Sequence, residues 1–364
     1  MKVASICTTL LLTGMITQAQ QSAFTGQYPS TKKVAHTDEY FGTKVQDPFR
    51  WLEDDMSEET KQWVVSQNKV TNEYLSKIPF RDAIKKRLTQ LWNYEKYSAP
   101  FKEGDYTYFY KNDGLQNQSI LYRQKGNGKP EVFLDPNKFS ADGTSSLQGI
   151  SFTKDGSLAA FQISEGGSDW RKVVVIETRT GKKVDDTLLD VKFSGTSWYK
   201  NEGFYYSSYD KPKGSQLSEK TQIHKLYYHK LGTPQSQDKL IFGGDTTPRR
   251  YIGGGVTEDE RFLVISAANA TYGNELYLQD LSKPGSPIIP VVTGFEFEQD
   301  VVYNVGSKLY ILTNQGAPNK RLVTVDASNP VKDNWKTIIA EGKFPLSISS
   351  CGHKLFASYI EDDV

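Results

Sequence analysis

One pattern returns six times in this chain and leaves few folds open to it. A tight polar turn feeds a short apolar strand: EGDYTYFY at Gly104, KDGSLAAF at Asp155, KNEGFYYS at Asn201, EDERFLVI at Asp259, VGSKLYIL at Gly306 and CGHKLFAS at Gly352. The intervals are 51, 46, 58, 47 and 46 residues. One copy cannot bury both faces of its strands, so copies must stack, and a turn-plus-strand unit at this period is the mark of a β-propeller blade. The runs between the turns agree: SILYRQ, KVVVIET, HKLYYHK, ELYLQDL and RLVTVD are β-rich and separated by Gly, Asp, Asn or Pro clusters. The longest interval holds KPKGSQLSEKTQ, read as a surface loop inserted between two strands of one blade. The competing reading is a two-sheet sandwich with fortuitous spacing. About one strand follows Gly352 before Val364, so five copies and the start of a sixth are expected, a truncated ring with an open sheet edge.

Composition narrows the partners. The chain has 44 basic and 43 acidic residues and a net charge of +1, without the basic excess that a nucleic-acid binder would present. Aromatic residues make up 12%, too many for a disordered chain. Two cysteines, Cys7 and Cys351, cannot build a disulfide scaffold. Residues 1–19 read as a secretory signal peptide: Lys2, an uncharged apolar stretch, then small residues at Thr17 and Ala19 before the cut. No other segment is apolar enough to span a bilayer. The mature protein is therefore expected to be exported, periplasmic or secreted, with no membrane association once the leader is removed.

Residues 20–96 read as a helical arm. Pro48 makes Asp47 a turn initiator, and Asp55 with Glu58 suggests a helix N-cap. Trp63, Val64, Val70, Tyr74, Leu75 and Ile78 follow near helical spacing. Pro79 suits the first turn of a second helix, in which Phe80, Ile84, Leu88 and Leu91 form a stripe. Two amphipathic helices cannot bury such stripes by themselves. From residue 97 to 364 the period becomes that of strands.

The segment HTDEYFGTKVQDPFRWLEDD resembles the amino-terminal signature of the prolyl oligopeptidase family of serine peptidases. Colinear matches follow: IPFRDAIKK, WNYEKYSAPFKEGDYTYFYKNDGLQNQSILYR, VFLDPNKFS, ISEGGSDW, DVKFSGTSW, YYHKLGTPQSQD, PRRYIGGGV and APNKRLV. The likeness is closest to bacterial members that carry signal peptides. It implies a mainly β fold, an incomplete seven-bladed β-propeller of about five and a half blades. It also implies an α-helical arm belonging to a missing α/β-hydrolase domain. The propeller would cover the active site and admit short proline-containing peptides. No cofactor is implied.

The chemistry of such a peptidase needs a nucleophilic serine on a G-x-S-x-G elbow, then Asp, then His. No G-x-S-x-G occurs in this sequence, and GGSDW has Trp170 where the last glycine would stand. His36, His224, His229 and His353 offer no base downstream of an elbow, and His224 and His229, five apart on a strand, face opposite ways. Cys351 and His353 could share a strand face, but two ligands do not make a zinc site. No catalytic residue and no metal ligand is therefore assigned. The resemblance implies substrate contacts at Phe193 in DVKFSGTSW and Ile252 in RRYIGGGV, each of which could equally be core; Asp169 and Trp170 carry a further match and read as a turn and a buried ring. Asp47, Arg50 and Trp51 read as structural. The expected function is the propeller-containing portion of an exported endopeptidase that cleaves short peptides after proline, inactive alone. The alternatives are a non-catalytic propeller that binds peptides or proteins and a propeller glycosidase, which the arm disfavours.

Overall fold

The computed structural model describes residues 26–185, 187–210, 215 and 221–361. The signal-peptide reading and Cys7 lie outside these residues, as does most of the KPKGSQLSEKTQ loop. The chain divides into two compact units, 1–87 and 88–364. Among the described residues no helix is long and apolar enough to cross a membrane.

The first unit opens with a hairpin, Thr37–Tyr40 against Thr43–Gln46, whose turn residues Phe41 and Gly42 both lie at positive φ (50° and 81°). That pairing is what a two-residue turn needs to match strand twist. Its strands are charged and exposed, so periodicity gave no sign of them. A 3-10 turn, Arg50–Glu53, follows. The Arg50 guanidinium reaches the carboxylates of Asp38, Asp47 (3.1 Å) and Glu53 (2.6 Å), while the Trp51 indole donates to the Lys32 carbonyl at 2.9 Å. The first helix is α1, Glu58–Ser76. Its N-cap is Ser57, whose hydroxyl accepts from the Thr60 N–H at 3.2 Å, and not Asp55 as the sequence suggested. The cause is local: the Asp54 carboxylate accepts from the Met56 N–H and closes a turn that delays the helix by two residues. The second helix is α2, Arg81–Trp92, and its stripe residues Phe80, Ile84, Leu88 and Leu91 are exposed.

The second unit is a succession of antiparallel meanders. Four-stranded sheets span 145–192, 197–243, 251–292 and 299–339, after a first sheet over 96–134 whose opening strand is broken into Lys96–Tyr97 and Phe101–Glu103. A hairpin, Leu346–Cys351 with Lys354–Tyr359, begins a sixth. Each sequence repeat supplies the turn between the first and second strands of one sheet. Neighbouring sheets stack face to face because their strands are apolar on both sides. In Leu158–Glu165, Ala159 and Phe161 pack toward the first sheet and Ala160 toward the third. In Gly203–Tyr209, Phe204 and Tyr206 meet the second sheet and Tyr205 the fourth. In Phe262–Ala268, Leu263 and Ile265 turn to the third sheet and Phe262 to the fifth. A period of two with both faces buried is what separates this arrangement from a sandwich, in which one face of each sheet meets water. The first strands of the second, third and fourth sheets approach one another in turn. This is the β-propeller fold.

Candidate functional site at the aromatic end of the blades

The meander topology sorts the connections into two ends. Turns between strands one and two, and three and four, lie at one end. Hairpins between strands two and three, and links from one sheet to the next, lie at the other. Phe193 leaves the fourth strand of the second sheet, Leu188–Lys192, at this second end. It is 43% exposed, and its backbone sits at φ +51°, a conformation unusual for a bulky residue.

Three elements converge on its ring. Tyr209, the last residue of Gly203–Tyr209, meets it edge-on at 6.3 Å. Tyr251, the first residue of Tyr251–Val256, meets it at 5.9 Å and 66°. Such T-shaped pairs put a ring edge against a ring face. The Lys192 ammonium lies 5.2 Å from the Phe193 ring and 4.9 Å from that of Trp170, its cross-strand partner. Next to this group, the Arg250 guanidinium lies 4.3 Å over Phe295, with Glu275 at 3.6 Å. An apolar surface rimmed by cations suits an apolar side chain carried on a polar backbone.

His224, on the third strand of the third sheet, lies behind these rings. It is fully buried and packs at 4.5 Å on Tyr209. Its Nε2–H donates to the Lys192 carbonyl (3.0 Å), and its Nδ1 accepts from the Ile252 N–H (2.9 Å). Burial pushes its pKa down, opposed by the bond to the Lys192 carbonyl, so the neutral ring is favoured. Burial also raises the Tyr209 phenol.

Of the two substrate positions taken from the resemblance, Phe193 stands at this surface. Ile252 is 1% exposed and lies in the core between the third and fourth sheets. Tyr251, one residue earlier and therefore on the opposite face of its strand, is 51% exposed and beside Phe193. Alternation along YIGGGV was the available signal, but it does not say which face is core. Trp170 is buried, and Asp169 belongs to the hairpin that precedes it. Each of the four imidazoles has a partner. His36 meets Asp38 at 3.2 Å, His353 meets the Tyr303 hydroxyl at 3.2 Å, and His229 lies between Asp185 and Asp238. Cys351 is free and exposed.

Comparison with known proteins agrees with this architecture. Residues 28–363 match the model described as the prolyl oligopeptidase N-terminal β-propeller domain. The chain is 59% identical over 339 residues to a prolyl endopeptidase of Elizabethkingia meningoseptica, covering 93% of this chain and 48% of that protein. A prolyl endopeptidase of Elizabethkingia miricola is 59% identical over 337 residues, with coverage of 92% and 48%. Among solved structures, prolyl oligopeptidase B of Galerina marginata, bound to a 35mer hydrolysis and macrocyclization substrate, superposes with a TM-score of 0.77 at 28% identity, covering 92% of this chain and 51% of that one. The chain spans about half the length of the relatives it matches. With the stacked meanders and the match over 28–363, these likenesses make the chain a member of the prolyl oligopeptidase family, in its N-terminal β-propeller portion.

Proposed function

We propose that this chain is the propeller-bearing portion of an exported serine endopeptidase that cleaves short peptides after proline, and that it has no peptidase activity alone. The observation that carries the reading is the 59% identity, along 93% of the chain, to a protein named a prolyl endopeptidase. The aromatic end of the blades supports it, because Phe193 and Tyr251 offer an apolar wall for a substrate side chain. Inactivity follows from the chemistry, since hydrolysis by this route needs a serine on an elbow and the 364 residues contain no G-x-S-x-G. Export rests on the character of residues 1–19.

A fluorogenic Gly-Pro substrate tests the reading in two arms. The purified chain should give no turnover. The chain fused to the carboxy-terminal half of the Elizabethkingia relative should cleave after proline. Turnover by the chain alone would refute its inactivity, and a folded fusion without preference for proline would refute the substrate class. Recovery of mature protein beginning at Gln20 from the periplasm or medium of an expressing bacterium would bear out export.

A further inference from the structure

We propose that His224 is the positioning residue of the aromatic site: held in its Nε2–H tautomer, it ties the peptide unit that enters Phe193 to the peptide unit that leaves Tyr251 and so sets the spacing of the two rings. It deepens the reading above and rests on it for the idea that these rings meet a peptide.

The tautomer is dictated by the partners. A carbonyl oxygen only accepts, so the Lys192 contact at 3.0 Å requires a proton on Nε2. A backbone N–H only donates, so the Ile252 contact at 2.9 Å requires a bare Nδ1. Both ring nitrogens are thereby satisfied, as they must be in a fully buried side chain. The two bonds reach different sheets. The Lys192 carbonyl belongs to the amide joining Lys192 to Phe193, at the end of the second sheet. The Ile252 N–H belongs to the amide joining Tyr251 to Ile252, at the start of the fourth. His224 stands between them on the third, so one rigid ring spans three consecutive blades. Tyr209, packed against it at 4.5 Å, hinders rotation of that ring and also touches Phe193.

The bridge has a reason to exist at this place. Phe193 is held at positive φ, one residue beyond the end of its paired strand at Lys192. Tyr251 begins its strand and faces solvent. Two aromatic side chains at element ends would otherwise move independently and offer a pocket of variable width. Binding sites lose affinity when such groups must be ordered by the ligand. No other side chain fills both roles. The oxygen of an Asn at 224 can take the Nδ1 position and the amide nitrogen of a Gln the Nε2 position, but neither reaches both.

The test uses the 364-residue chain with 15N-labelled histidine, which gives four ring systems. His224 should show a protonated Nε2 and a bare Nδ1 coupled through its hydrogen bond to the Ile252 amide; a proton on Nδ1, or an imidazolium, would overturn the proposal. In chains with labelled Phe and Tyr, the cross-peak between the Phe193 and Tyr251 rings should vanish in both His224→Gln and His224→Asn. The amide spectrum of the first and fifth sheets should stay unchanged, which separates lost positioning from unfolding. A ring contact that persists in both folded variants would overturn it. Titration with the peptide Ala-Ala-Gly-Pro separates this proposal from the reading on which it rests. Affinity should fall ~tenfold in Phe193→Ala, His224→Gln and His224→Asn and remain in His353→Ala. No binding by the parent chain, or binding indifferent to Phe193→Ala, would refute the peptide reading and leave the bridge to be judged by the spectra. Binding that needs Phe193 but ignores both His224 variants would refute the role of His224.

Discussion

His224 and His229 lie five residues apart on one strand and are held in opposite protonation states. His224 bridges a carbonyl and an amide and is neutral. His229, on the other face, donates from Nδ1 to Asp238 (2.7 Å) and from Nε2 to Asp185 (2.9 Å). Two carboxylate partners ask for two ring protons, hence an imidazolium. Asp238 also accepts from the Tyr206 hydroxyl at 2.7 Å, and Asp185 from the Gly232 N–H at 3.2 Å. All three side chains are buried, so the cluster clamps the loop carrying Asp185 to the outer part of the third sheet.

The charge on His229 makes stability depend on pH in a defined sense. Burial is the largest single influence and lowers its pKa, but the hydrogen bonds it donates to Asp238 and Asp185 outweigh it, and the net shift is upward. A raised folded pKa gives stability that is complete below the unfolded value of about 6.5 and is lost as pH rises through the folded value. The urea midpoint of the chain should therefore fall as pH rises above neutrality. His229→Gln should flatten that slope, and a slope unchanged in the variant would contradict the assignment. Asp238→Asn should cost about 3–5 kcal/mol at pH 6, the penalty of leaving a buried charge without one of its partners.

At the opposite end of the blades, one inter-sheet bond is repeated. The Asn201 amide donates to Asp155 at 2.7 Å, joining the third sheet to the second, and the Asn304 amide donates to Asp259 at 2.7 Å, joining the fifth to the fourth. Each amide also donates a second bond, Asn201 to the Ser157 hydroxyl (3.1 Å) and Asn304 to the Gly306 carbonyl (3.2 Å), so Asn201→Ala and Asn304→Ala should each cost about 1–2 kcal/mol. Because they share no partner, the double variant should lose the sum. Denaturant titration of the four proteins measures this, and strong non-additivity would mean that the sheets respond as one body at this end.

Asp155 adds a second pH signature. Burial raises its carboxyl, but hydrogen bonds from the Ser157 N–H, Asn201, the Ser157 hydroxyl and Thr153 outweigh this and hold it well below the usual carboxylate range. A depressed folded pKa gives stability that is present above the unfolded value of about 3.9 and is lost as pH falls toward the folded one. The stability gap between the parent chain and Asp155→Asn should thus be constant from pH 7 to 5 and narrow below about pH 4. A gap that widens in acid would contradict this.

The strands were legible because their signal is local. Alternation and turn residues lie within one hairpin, and both-face burial shows as runs such as KVVVIET. The candidate surface was legible only in part. Resemblance led to Phe193 and Ile252, and of these the structure exposes Phe193 and buries Ile252, while the neighbouring Tyr251 is exposed. Which face of a strand is core depends on the sheets packed against it, and YIGGGV alone cannot say. The histidine partners are non-local too: 32 residues separate His224 from Lys192, and 44 separate His229 from Asp185. The Thr37–Gln46 hairpin escaped notice because exposed charged strands have no apolar period.

The backbone at Phe193 allows strain and ring to be separated. At φ +51° a side chain costs about 1–2 kcal/mol relative to glycine, which adopts this region freely. Phe193→Ala removes the ring and keeps the strained Cβ, whereas Phe193→Gly removes both. Both variants lose the ring, so the burial it forfeits cancels between them. Phe193→Gly should therefore be more stable than Phe193→Ala by about 1 kcal/mol, the relief of strain being partly offset by the freedom glycine gains in the unfolded chain. Both variants should bind Ala-Ala-Gly-Pro equally poorly. Thermal melts and peptide titrations of the two variants read these quantities apart. Equal stabilities would show that the left-handed geometry carries no cost here, and peptide affinity retained in either variant would show that the ring is not a substrate contact.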